Sequence, residues 1–246
     1  MKSGNPTLND HIFDDLSATD KSMTVQGTIN KVGLLLLLVI VASIWSWNKF
    51  TMSLDDLSSL MPILWGSLIG GFVVGLITCF VKKVSPITAP IYAVLEGIVL
   101  GIISAMFEMQ YPGIAFQAII LTFGVMAIML VAYKTGLIKV TPKFTMFVII
   151  ATGAIALLYI VDLIMSLVFH MPITFLHDSG WLGIAVSLFV IGIAALNLVL
   201  DFHFIDKGVE EQAPKYMEWY LAFGLMVTLI WLYLEILRLL AKARSR

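Results

Sequence analysis

The chain has 246 residues, 60% of them hydrophobic and 13% charged, with a formal net charge of −1 and a mean hydropathy of +0.98. Soluble globular domains carry about 25% charged residues, so this composition excludes a soluble domain and implies an integral membrane protein. The basic residues form no stripe interleaved with aromatics, which argues against a nucleic-acid partner, and the one cysteine, Cys79, excludes a disulfide framework or structural zinc site within a single chain.

The first 29 residues, beginning MKSGNPTLND, are polar and acidic. They lack the basic start, short apolar core and small-residue cleavage site of a signal peptide. They read as a cytosolic tail that leads through residues 24–28 into one membrane domain over residues 30–246. A helix needs about 20 apolar residues to cross a bilayer. Seven runs come near or exceed that length, at residues 32–47, 60–81, 88–107, 114–133, 144–169, 181–200 and 219–240. They are continuous, without the apolar/polar alternation of lipid-facing strands, so the fold class is an all-α seven-helix bundle.

With the amino terminus inside, the inner loops hold Lys82, Lys83, Lys134, Lys139, Lys143, Lys207 and Lys215, and the outer loops hold only Lys49. The positive-inside rule therefore places the amino terminus in the cytosol. Arg238, Lys242, Arg244 and Arg246 dissent, since a full crossing of the last segment puts them outside; a full crossing is the expectation here. The second span carries Gly66, Gly70, Gly71 and Gly75, and the third Gly97, Gly101 and Ser104. Small residues at three- and four-residue spacing let helix backbones approach in lipid, which predicts two contact seams.

Five acids lie in or at the rims of the spans: Glu96 in the third, Asp162 in the fifth, Asp201 ending the sixth, and Glu218 and Glu235 in the seventh. One charge at the bilayer centre costs about 2.5–3.5 kcal/mol on translocon scales, so such acids face the bundle interior. Carboxyls gathered there make a proton-responsive site. Glu96 and Asp162 are candidates for an ion pathway. Arg238, three residues after Glu235, shares its helix face and reads as a local ion pair that snorkels toward the surface. His203, two residues after Asp201, is a candidate for tuning it. His11, His170, His177 and His203 occupy separate loops or tails, so no metal site is expected, and no cofactor. HExxH, GxSxG and CxxC are absent, which argues against an enzyme.

The segments LDFHFIDKG (residues 200–208) and LYLEILRLL (residues 232–240) resemble the two carboxy-terminal motifs of the Bax inhibitor family, the transmembrane Bax-inhibitor-motif proteins. PIYAVLEGIVLGIISAMF (residues 90–107) is similar to the family's third span. The resemblance implies a last helix enclosed by the other six and a calcium leak held shut by a pair of acids and gated by pH. It places Asp201 as the first acid and Glu235 as the second, with glutamate where aspartate is common. It also implies a bacterial cytoplasmic membrane as location and calcium ions or protons as the permeant species. Two departures stand out: Asp201 and Glu235 are 34 residues apart, longer than in bacterial relatives, and the second span has no arginine. In a straight seventh helix Glu218 and Glu235 differ by about 25 Å of rise. Geometry thus pairs Asp201 with Glu218, whereas the motif pairs it with Glu235. A second function class stays open, a regulatory protein that binds another membrane protein such as a membrane protease.

Overall fold

The computed structural model describes residues 22–53, 57–171 and 173–245. Residues 1–21 of the expected tail, His11 among them, and the terminal Arg246 lie outside the described residues. Among the described residues the chain is helical, without strands: α1 Val25–Met52, α2 Met61–Phe80, α3 Ser85–Gln110, α4 Ile114–Lys134, α5 Pro142–Phe169, α6 Thr174–His177, α7 Trp181–Glu210 and α8 Met217–Arg244. All but the one-turn α6 are long and apolar enough to cross a membrane. The last helix is the enclosed one, with 78% of its most apolar window buried against 11% for α5.

α1 and α7 run furthest beyond their apolar runs, because helix ends are set by caps and breakers rather than by hydropathy. Thr24 has extended backbone and its side chain accepts from the Gly27 N–H, so α1 begins at Val25 instead of residue 32. Asp201 does not end its helix: α7 runs on through Gly208 to Glu210 and stops before the left-handed Gln212 and Pro214. α5 starts at Pro142 behind the Thr141 cap and stops at the left-handed His170.

The chain divides into two compact units. In the unit of Phe13–Ala115 and Phe204–Val227, α3 packs against both α1 and α2. Its Gly97 and Gly101 meet α1: a Cβ on Gly97 would lie 2.6 Å from the Val39 carbonyl oxygen and 2.8 Å from the Ala42 Cβ, and one on Gly101 would collide with the Ser43 carbonyl and Ser46 Oγ. Ser43 Oγ donates to the Gly97 carbonyl at 2.9 Å. On α2, Gly71 faces Leu95 and Glu96, and Gly75 faces Tyr92. The expected second-span seam is shorter than its spacing implied, because Gly66 faces open space. Phe50, Leu60, Ile102 and Ala105 form a buried cluster at the other end of α1.

In the unit of Phe116–His203 and Thr228–Arg246, the core is Ile155, Val190 and Ile193, with Tyr159, Leu196 and Trp231 packed against it. α5, α7 and α8 thus meet there through apolar faces at helical spacing.

Candidate functional site

The acids fall into separate environments. Glu218, in the first turn of α8, is fully buried, and its carboxylate serves the start of α1. Oε1 accepts from the Thr24 N–H at 2.9 Å, the Thr24 hydroxyl at 3.1 Å and Lys215 Nζ at 2.7 Å. Oε2 pairs with Lys31, whose ammonium also lies over the Trp219 ring, 5.7 Å from its centroid. Beside it, Met23 N donates to the Ala213 carbonyl at 2.7 Å, Ser22 bridges to Pro214, and Ser85 Oγ donates to the Tyr216 carbonyl at 3.1 Å. This is a clasp of two lysines and a helix cap on one carboxylate.

Glu235, 2% exposed, sits in the other unit. Its Oε1 accepts from the Tyr159 hydroxyl at 2.7 Å and from Arg238 Nη1 at 2.9 Å, and Arg238 Nη1 also donates to the Tyr159 hydroxyl at 3.1 Å. The guanidinium stacks over the Tyr159 ring with its carbon 5.4 Å from the centroid, while the side chain stays partly exposed. One helical turn of spacing brings Arg238 to Glu235; α5 supplies the tyrosine.

Asp201, 1% exposed, follows Asn197 by one turn of α7. Asn197 Nδ2 donates to Thr152 Oγ1 of α5 at 2.8 Å and to the Ile193 carbonyl at 2.9 Å. His203 is half-buried. Asp162 holds the turn after α5, its Oδ1 accepting from the Ile173 N–H at 2.8 Å. Glu96 stands at the α2–α3 contact, hydrogen-bonded to Tyr92, whose ring meets Phe223 edge-on at 5.0 Å. Among the described residues no group of three or more His, Cys, Asp or Glu side chains is placed to hold a metal ion.

Sequence reasoning missed Lys31, Tyr159, Asn197 and Lys242 as members of these clusters. Lys242, 6% exposed, donates from Nζ to the Gly183 carbonyl at 3.2 Å and to Ser187 Oγ at 3.0 Å. For Tyr159 and Lys242 the available signal was the seven-residue step of Thr145, Thr152 and Tyr159 on α5 and of Thr228, Glu235 and Lys242 on α8.

No curated protein and no solved structure matches the chain significantly. A comparison with protein families matches residues 5–245, nearly the whole chain, to the family described as Bax inhibitor 1 like. Seven membrane-crossing helices, a buried last helix and a family match over almost the full length agree, and the chain belongs to the Bax inhibitor 1 like family.

Proposed function

We propose that the protein is a pH-sensitive cation leak, for calcium or protons, in a bacterial cytoplasmic membrane, gated by buried carboxylates and performing no enzymatic step. The observation that carries this reading is the burial of Asp201 and Glu235, 1% and 2% exposed, within long apolar helices of one compact unit. Placing or removing a charge on a group so enclosed shifts the balance between packings. Tyr159 and Arg238 hydrogen-bond Glu235 from α5 and from its own helix, which ties this carboxyl to two elements of the unit.

Reconstituted vesicles test the reading. Replacing Asp201 by Asn keeps the shape and removes the charge. Calcium flux through that variant should lose most of its dependence on pH, because the charge that would change is gone. A partner acid shows itself as non-additive with Asp201→Asn when Glu218→Gln or Glu235→Gln is added. An intact pH profile in Asp201→Asn would place the gate elsewhere.

Topology is a separate expectation, resting on the loop lysines. Reporter fusions should find the amino terminus in the cytosol and the carboxyl terminus outside; a cytosolic carboxyl end would mean that the last segment turns back. The second reading, regulation of another membrane protein, draws on Gly66, Gly124 and Gly153, which face open space and could admit a partner's helix. Absence of flux from the parent protein and from every charge-removing variant favours it.

A further inference from the structure

Polar residues recur at seven-residue steps in the unit that holds Glu235. α5 carries Thr145, Thr152 and Tyr159, and α8 carries Thr228, Glu235 and Lys242. Seven residues are about two turns, so each set shares a helix face. α7 adds Ser187, Asn197 and Asp201, and three hydrogen bonds join the sets: Asn197 to Thr152 at 2.8 Å, Tyr159 to Glu235 at 2.7 Å and Lys242 to Ser187 at 3.0 Å. From Thr228 to Lys242 the ladder climbs about 21 Å, much of the roughly 30 Å hydrocarbon thickness. Along it Glu235 Oε2, Asn197 Oδ1 and Thr145 Oγ1 are buried without a hydrogen-bond partner among the described residues. Buried oxygens of this kind are where proteins hold ordered water. Orphaned acceptors at several heights are positions where ordered water would complete the ladder.

The end nearest the carboxyl terminus carries the unusual group. Lys242 Nζ is held by a backbone carbonyl and a hydroxyl from the first turns of α7, with Glu235, Arg238 and Asp178 as the charges that act on it. Carbonyl and hydroxyl oxygens are the ligands that hard cations take when they shed water. The ammonium therefore stands where a permeating cation would stand, on the ligands it would use, and repels a second positive charge.

We propose that this ladder is the permeation track and that Lys242 is its built-in plug, a tethered cation that limits entry of mobile ones. This rests on the cation-leak reading and specifies the residue that restrains the leak. The test uses the full chain in vesicles loaded with a calcium indicator, comparing the parent with Lys242→Met, Lys242→Gln and Lys242→Arg. Met and Gln remove the charge, and Gln keeps a donor for Gly183 and Ser187, so it guards against a variant that merely misfolds. Calcium flux should rise about tenfold or more in both, stay near the parental rate in Lys242→Arg, and fall back when Asn197→Leu blocks the ladder in the Lys242→Gln background. A parent that conducts and a Gln variant that conducts no faster would overturn the plug and leave the leak standing. Absence of flux from the parent and every variant would overturn the leak, and the plug with it. A silent parent with a conducting Gln variant supports both.

Discussion

Replacing Gly101 by Val lowers the unfolding free energy in detergent by about 3 kcal/mol, roughly a hundredfold in the folded-to-unfolded ratio, at the upper end of what overpacking costs. The Cβ alone would enter the space of the Ser43 carbonyl and stand 2.8 Å from the Ser43 Cα, backbone atoms of α1 that no rotamer change can move. α1 must withdraw from α3, and the Ser43 hydroxyl then loses its 2.9 Å bond to the Gly97 carbonyl. Gly97→Val should behave alike, against the Val39 carbonyl. Gly66→Ala is the contrast. Nothing lies within 4 Å of its missing Cβ, so the better helix propensity of alanine should leave stability unchanged or raise it by up to about 1 kcal/mol. Equilibrium unfolding followed by circular dichroism reads all three. Equal loss at Gly66 and Gly101 would show that the α1–α3 approach is not what the glycines serve.

Glu218→Ala is expected to cost about 3 kcal/mol, the lower end of the range for breaking a buried ion pair. The low end applies because Lys31 and Lys215 are 20% and 49% exposed and can turn their ammonium groups to water once the carboxylate is gone. The Thr24 N–H cannot, since it is fixed at the start of α1. Lys31→Met removes one of two lysines and should cost about 1 kcal/mol, as Lys215 still faces the carboxylate. Amide exchange gives the sharper readout. The Met23 and Thr24 amides, bonded to Ala213 and Glu218, should exchange about a hundredfold faster in Glu218→Ala. Unchanged exchange there would mean that the clasp is not held by its charge.

Much of this architecture is written in local pattern. Hydropathy marks every crossing helix because a span must be apolar over its whole length. The Gly97 and Gly101 seam and the Glu235–Arg238 pair are visible in four- and three-residue spacings, since both partners of each relation lie on one helix. Gly66 shows the limit: spacing tells which residues share a face, not whether another helix covers it. Glu218 shows the other limit. Read alone, it is an acid at a span's rim; its partners Thr24 and Lys31 stand 194 and 187 residues away in sequence, and only the folded chain brings them together. Helix ends fall outside hydropathy for a related reason: Thr24 caps α1 with one hydroxyl, and α7 runs through Asp201 because charge alone does not stop a helix.

The clasp also orders events during synthesis. α1 leaves the ribosome first, yet the carboxylate that completes its cap arrives with α8, 194 residues later. At about 5–20 residues per second this is a delay of roughly 10–40 s, during which the Thr24 N–H and the Lys31 ammonium lack this carboxylate. The first turn of α1 is thus the last part of that helix to be secured, and the nascent protein can be checked for completeness at its own beginning. A chain terminated before residue 218 would carry six of the seven apolar spans and still leave the amino-terminal turn of α1 without its carboxylate.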